Sequence, residues 1–329
     1  MNSICRLLTA VAATAALCLP VSIAQAQGAY PSRSVKIVVP FGPGTGLDVV
    51  ARGYAERLTE QMKTPVVVEN REGAGGTIGA VAVAKAAPDG YTIVFTANGP
   101  FAVTPYMQGG APYDPLTDFV PITKVAVIPM VLVSGQKAPF TNFEEMAAYA
   151  RANPGKLDYA SSGIGTPSQL NVERIKQALN LDIASVPYKS TAQAMTDVIS
   201  GQLPLYMPSF PAALGQLKSG QVRALAIGLS KRSTVMPDIP TVAEVLRQPG
   251  FEANVWYGFL APRGTPQEVV GKLHAEIATA AASPQIRAMI DKLGAEAVMQ
   301  ASAEFASQLR QDADSARKLL SSLGVKPGQ

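Results

Sequence analysis

Apolar positions along the chain switch between short continuous runs and helical spacing, and the order of the switches predicts an α/β fold. Ile37-Val38-Val39 is a β-branched run of the kind found in strands covered on both faces. Phe41-Gly42-Pro43-Gly44-Thr45-Gly46 follows as a turn with little side-chain bulk. Beyond Asp48, Val49-Val50-Ala51, Tyr54-Ala55 and Leu58 recur at helical intervals. The unit then repeats. Residues 65–69 (PVVVE) read as a strand, 70–76 as a second glycine-rich turn, and 77–85 as a short helix. Residues 91–96 (YTIVFT) form a third strand ending at Ala97-Asn98. Alternation at this spacing indicates parallel βαβ units. Residues 118–128 add a strand near the sheet edge, because Pro121 has no N–H for a ladder.

A second alternating series predicts strands over 130–133, 157–160, 184–188, 203–207 and 222–229, with helices over 142–151, 168–179, 192–200 and 211–218. These five strands are expected to form their own sheet. A short helix at 242–247 and a strand at 255–261 follow. Helices at 266–282, 284–293 and 303–323 have no strand between them and must pack on an existing sheet. The simplest topology is two α/β domains joined by crossings near 125–130 and 251–257. The first domain is discontinuous, 27–126 plus 252–329; the second is 127–251. Paired linkers make a hinge, with a ligand cleft between the domains. The C-terminal ends of the strands should face that cleft.

Composition narrows the function. Residues 7–23 are apolar and small, Arg6 precedes them, and Ala24-Gln25-Ala26 is an A-x-A cleavage signal. Residues 1–26 therefore read as a secretory signal peptide, which places the mature chain in the periplasm. Leu17 before Cys18 argues against lipidation. Both cysteines, Cys5 and Cys18, fall in this leader, so the mature chain has no disulfide, thiolate site or cysteine nucleophile. Setting Arg6 aside leaves 27 basic and 24 acidic residues with no dense basic run, which argues against a nucleic-acid partner.

Six segments stand in an order and spacing that resemble a known family: KIVVPFGPG with Asp48, VVVENREGAGGTIGA, PDGYTIVFT, LDYASSGIGTPSQL, VPYKSTAQAMTDVISGQLPLYM and WYGFLAPRGTP. They resemble the Bug-type solute-binding receptors of tripartite tricarboxylate transporters over nearly the whole mature chain. The resemblance implies the two-domain periplasmic-binding-protein fold, type II-like. It also implies a small organic carboxylate as ligand, held by loop amides and ordered water more than by charged side chains, and membrane permease subunits as partners. No cofactor is implied, and the chain is expected to be monomeric. The sequence departs from the family pattern in places. Thr45 replaces the second glycine of P-G-G-x-[ST]-D, and Leu47 its hydroxyl residue. Gln169 stands where histidine is usual, and Ser190 where glycine follows Y-[KR]. Pro208-Ser209 ends a strand that Phe and Asp or Gly often follow.

The candidate ligand residues follow from helix starts, where free N–H groups attract an anion. In the first domain these are Phe41, Gly44, Thr45 and Gly46, then Gly75 and Gly76 of the 73–76 turn, and Asn98 as an amide donor. In the second they are Ser161, Ser162 and Thr166, with Gln169 one turn into the helix, Tyr188 and Lys189 at the next strand end, and Ser209. Capping uses the same residue types for the same reason, so each serine and threonine has that reading too. Asp48 is expected to cap the helix or orient the loop rather than meet an anion, and Trp256 to belong to the hinge core. No enzyme is expected. His274 is the only histidine, and Ser161-Ser162-Gly163 lacks a nucleophile elbow. A NAD-dependent dehydrogenase would explain a strand, a glycine loop and Glu69, but Leu47 stands where the third glycine belongs. A receptor that presents its ligand to a membrane sensor has the same sequence requirements as a transport receptor.

Overall fold

The computed structural model describes residues 30–107, 110–163, 165–188, 190–233 and 235–322. The expected signal peptide and Lys189 lie outside the described residues. Along the chain, β1 (Val35–Val39) leads to α1 (Gly46–Met62), β2 (Val66–Asn70) to α2 (Thr77–Ala84), and β3 (Thr92–Ala97) to a π-helical turn, Gly99–Val103. β4 (Phe119–Pro129) and β5 (Val131–Gly135) are separated by Met130 alone. Then come α3 (Phe143–Ala152), β6 (Leu157–Ser161), α4 (Pro167–Leu179), β7 (Ile183–Pro187) and α5 (Thr191–Ser200). β8 (Leu205–Tyr206), α6 (Phe210–Lys218), β9 (Val222–Ile227) and α7 (Val242–Leu246) follow. The chain ends with β10 (Asn254–Pro262), α8 (Gln267–Ala281), α9 (Pro284–Lys292), β11 (Glu296–Ala297) and α10 (Ser302–Ser322).

The strands form two mixed sheets. The first has the order β11-β4-β10-β3-β1-β2, and the second β7-β6-β8-β5-β9. The second holds the five strands expected between 130 and 229. The first contains β11, which the sequence reading did not foresee between the last two helices. Two residues are too few to show an alternation, and β11 exists by pairing with Ala126 and Val127 of β4. Because β11 stops there, β4 has no outer strand at Pro121, and a residue without an N–H costs no ladder bond. The Pro121 carbonyl accepts the Ser302 hydroxyl instead, at 2.5 Å.

Each sheet is buried on both faces. Tyr54 of α1 packs edge-on to Phe259, 5.3 Å between ring centroids, and Phe259 meets Phe95 at 4.4 Å. On the opposite face Val38, Val94, Trp256 and Leu260 pack with Phe305 and Leu309 of α10. In the second sheet Leu132, Tyr159 and Leu225 meet Val172 and Ile175 of α4. Val131, Val133 and Ile227 meet Ala194 and Val198 of α5 on the other side. Each fully buried Val, Leu, Ile or Phe side chain contributes about 1.5–3 kcal/mol.

The chain passes between the sheets at Met130 and at Ala253, and the two passages are hydrogen-bonded. Met130 N–H donates to Ala253 O at 3.1 Å, Gly228 N–H to Met130 O at 2.8 Å, and Ala253 N–H to Gly228 O at 3.1 Å. Gly228 is required here because any Cβ at this position would collide with the Ala253 carbonyl. A further apolar cluster joins the halves: Val103 and Tyr106, Leu170 of α4, and Ala316, Leu319 and Leu320 of α10.

Candidate functional site

β1, β2 and β3 are parallel neighbours, so their C-terminal ends, and the 40–45, 71–76 and 98 turns, lie along one edge of the first sheet. β6 is likewise parallel to β7 and β8, which places the starts of α4, α5 and α6 along one edge of the second. Described residues of the two halves come into contact beside these edges. A Cβ on Gly165 would lie 2.8 Å from Met107 Sδ, and one on Gly294 would lie 2.7 Å from the Pro211 ring. The strand ends and helix starts of the two halves therefore face each other.

Thr45 caps α1, accepting Asp48 N–H on its hydroxyl at 3.3 Å and donating that hydroxyl to Gly42 O at 3.0 Å. The buried Asp48 carboxylate accepts Gly44 N–H at 2.9 Å, Asn70 Nδ2 at 2.8 Å and Arg52 Nε at 3.0 Å. Asn70 also donates to Phe41 O at 3.0 Å. Burial raises the Asp48 pKa, but the bonds from Arg52, Gly44 and Asn70 outweigh it and hold the carboxyl below its usual range. Asp48 thus orients the loop rather than facing the cleft. Leu47 is buried. Among the described residues the N–H groups of Gly46 and Leu47, in the first turn of α1, find no hydrogen-bond acceptor. A Cβ on Gly46 would lie 3.5 Å from the Tyr257 hydroxyl, so that phenol stands against the same turn. Burial pushes the Tyr257 pKa up to about 12, which keeps it a neutral donor.

The second glycine turn is built on positive φ: 126° at Gly73, 64° at Gly75 and 95° at Gly76, a region that side chains disfavour. Gly76 is packed so closely on the Pro100 ring that a Cβ would collide with it, while Gly75 faces Thr104. Asn98 donates its amide to Asn254 O at 3.3 Å and lines a cavity between the halves.

On the opposing edge, Ser161 is buried and accepts the Ser185 hydroxyl at 3.1 Å. Ser162 shares a hydrogen bond with the Tyr206 hydroxyl at 3.0 Å. Thr166 donates to Gly163 O at 2.7 Å, and the buried Gln169 accepts Gly165 N–H at 2.8 Å. Tyr188 donates to Asp197 at 2.7 Å, and this bond, with burial and the Asp197 charge, pushes its pKa up to about 12. Ser209 precedes α6 without accepting a capping bond. The structure thus gathers those expected residues that it describes along the two edges but commits many of their polar atoms to their own loops. Thr45, Thr166, Gln169 and Tyr188 all brace backbone or a neighbouring side chain. The sequence reading missed Tyr257 and Tyr206. The only sequence signal for Tyr257 was alternation along WYGF, which puts it on the opposite face from Trp256. Among the described residues no cluster of histidine, aspartate and glutamate is suited to a metal ion.

Two α/β halves joined by paired crossings, with helix starts facing across the gap, are the architecture of a periplasmic solute-binding protein. The chain belongs to the tripartite tricarboxylate transporter receptor family: the profile described as "Tripartite tricarboxylate transporter family receptor" matches residues 50–325. Protein BugT of Bordetella pertussis is 36% identical over 285 residues, covering 86% of this chain and 85% of BugT. The structure of Rpa4515 of R. palustris with adipate is 32% identical, covers 91% of this chain and 99% of that one, and superposes with a TM-score of 0.69. MatC from Rhodopseudomonas palustris, with bound malate, is 31% identical over 88% of this chain and 100% of its own, with a TM-score of 0.66. The chain is a solute-binding receptor of this class. No helix among the described residues is long and apolar enough to cross a membrane.

Proposed function

We propose that this receptor binds a small organic carboxylate between the facing edges and presents it to membrane permease subunits. The observation that carries this reading is the Gly46 and Leu47 N–H pair, which bonds to no described residue, in the turn against which the neutral Tyr257 hydroxyl stands. The adipate and malate held by the two R. palustris relatives support the ligand class. Phe41, Gly44, Gly75, Gly76 and Asn98 shape the first side of the site; Ser161, Ser162, Thr166, Ser209 and Lys189 belong to the second. Residues 27–126 with 252–329, and 127–251, act as two domains that close about the passages at Met130 and Ala253. Residues 1–26 direct export, the mature chain works as a monomer, and it catalyses no reaction.

Magnitudes decide what holds the ligand. Micromolar affinity corresponds to about 8 kcal/mol. Each helix start contributes about 0.3–1 kcal/mol toward a negative charge, so dipoles alone fall short. Direct N–H bonds to a carboxylate, about 1.5–3 kcal/mol each, must supply most of the rest. Calorimetric titration of refolded, ligand-free protein with malate, adipate and their diamides tests the reading. Binding of an acid but not its diamide is expected. Absence of heat with every carboxylate tried would reject it.

A further inference from the structure

Between the halves lies a cavity of about 80 Å³ that none of residues 41–46 or 161–166 lines. Its two walls differ in chemistry. The second half supplies donors. Arg174 of α4 uses one guanidinium nitrogen, Nη1, for Glu252 O at 2.7 Å and Asn171 Oδ1 at 3.3 Å. Among the described residues its Nε and Nη2 find no acceptor, and the guanidinium lies 4.4 Å over the Phe251 ring. Asn171 is 5% exposed; with its oxygen on Arg174, its amide nitrogen is left to donate. The first half supplies acceptors. Asp312 of α10 takes the Trp256 indole N–H on Oδ2 at 2.8 Å, and its Oδ1 meets no donor among the described residues. Asn254 of β10, 8% exposed, gives its amide nitrogen to Glu252 Oε2 at 2.8 Å, and its Oδ1 is likewise left over. Among the described residues neither Arg174 nor Asp312 forms a salt bridge. Both line the cavity, as do Asn171 and Asn254.

We propose that this cavity is a second solute site, for a small zwitterion of the α-amino acid type, with its carboxylate on Arg174 and Asn171 and its ammonium on Asp312 and Asn254. A carboxylate only accepts hydrogen bonds and an ammonium only donates them, so this orientation satisfies both walls. The reverse would set acceptor against acceptor. Water can bond each group singly, but only a solute with both charges forms charge-assisted bonds to Arg174 and Asp312 together, and such bonds are about twice as strong as neutral ones. Size sets the rest. At about 10–15 Å³ for each water-sized position, the cavity holds roughly five to eight non-hydrogen atoms. Alanine falls within that range, and its methyl group matches the apolar part of the lining, Leu170 and Trp256. Arg174 and Asp312 also line a wider polar cleft, which gives a polar route in. The site stands apart from the carboxylate assignment and does not depend on it.

Calorimetric titration with alanine tests the site. Burial raises the Asp312 pKa to about 6, so titration at pH 8 keeps the carboxylate ionised. Alanine should bind with a Kd below about 1 mM. Alaninamide, which keeps the ammonium and loses the carboxylate, should bind at least about 10-fold more weakly. Asp312→Asn and Arg174→Gln should each weaken alanine binding at least about 10-fold and leave malate or adipate binding unchanged. Arg174 is tied to Glu252 and Asn171, so Arg174→Gln is read only if it melts cooperatively. Asp312→Asn keeps an oxygen for the Trp256 N–H and decides the matter otherwise. Absence of alanine heat, alaninamide binding as tightly as alanine, or parental alanine affinity in either folded variant overturns the proposal. Alanine binding that Asp312→Asn removes, in a chain that takes up no carboxylate, supports the second site and counts against the carboxylate assignment instead.

Discussion

Replacing Asp48 by asparagine tests the claim that this carboxylate builds the first loop. The side chain is 2% exposed and accepts three hydrogen bonds, from Gly44, Asn70 and Arg52. An amide of the same shape has one acceptor oxygen, so at least one of these donors faces an NH₂ group in the variant. Bonds to a charged acceptor are worth about 1.5–3 kcal/mol each when buried. The Arg52 side chain is 52% exposed, so its share is discounted to at most about 1 kcal/mol. Losing the charge on the Gly44 and Asn70 bonds then costs about 2–4 kcal/mol in all. The pH dependence follows from the sign of the shift. The Asp48 pKa is held below the 3.8 of the unfolded chain, so its contribution is complete above that value and is lost as pH falls through the folded-state pKa. The gap between wild type and Asp48→Asn should be constant from pH 5 to 8 and narrow below pH 4.

Urea unfolding followed by fluorescence reads this directly, because the chain has a single tryptophan, Trp256, buried in the same half as Asp48. A variant within about 0.5 kcal/mol of wild type at pH 7, the range of an ordinary surface substitution, would refute the reasoning. A gap that persists undiminished at pH 3 would show that the loss comes from packing rather than from charge.

Three further outcomes are expected. Gly228→Ala should destabilise by more than about 2 kcal/mol in the same urea assay, because the new Cβ must push away the Ala253 carbonyl and the bonds at both passages with it; a wild-type midpoint would mean that the crossing is slack. Tyr257→Phe should weaken carboxylate binding about 10-fold by calorimetry, roughly 1.4 kcal/mol, with the melting temperature unchanged; equal affinity would remove Tyr257 from the site. Gln169→His should lower the melting temperature by several degrees, since Gly165 N–H loses its acceptor in a half-buried turn; a change in ligand preference at wild-type stability would show that position 169 reads the ligand.

Most of the fold was legible because its strands are short β-branched runs between glycine and proline punctuation, and because most of them are followed by a helix. Ile37-Val38-Val39 and the Val131–Gly135 strand need no tertiary information to be recognised. β11 was not legible, since a two-residue strand is defined by its partner and not by its own pattern. Nor was the polar cavity between the halves, since Arg174, Trp256 and Asp312, which line it, come from a helix of one half, a strand of the other and the last helix of the chain.

The site was legible as a set of helix starts and ambiguous as a set of contacts, for one physical reason. A serine or threonine before a helix accepts a backbone N–H whether or not a ligand is near. Thr45 and Thr166 spend their hydroxyls on Gly42 and Gly163, and Gln169 spends its carbonyl on Gly165. The departures from the family pattern at Thr45, Leu47 and Gln169 therefore act first on loop shape: two brace turns and the third is buried. What stays unbonded to any described residue in this turn is backbone, the Gly46 and Leu47 N–H groups, with the Tyr257 hydroxyl against the same turn. Amides that point at a carboxylate from a braced loop recognise charge and geometry but carry little information about the rest of the solute. In the carboxylate site we propose, discrimination among acids falls to groups at the margin of that contact, Tyr257 on one half and Ser162 and Ser209 on the other. A change there should alter which acid is bound without rebuilding the loops.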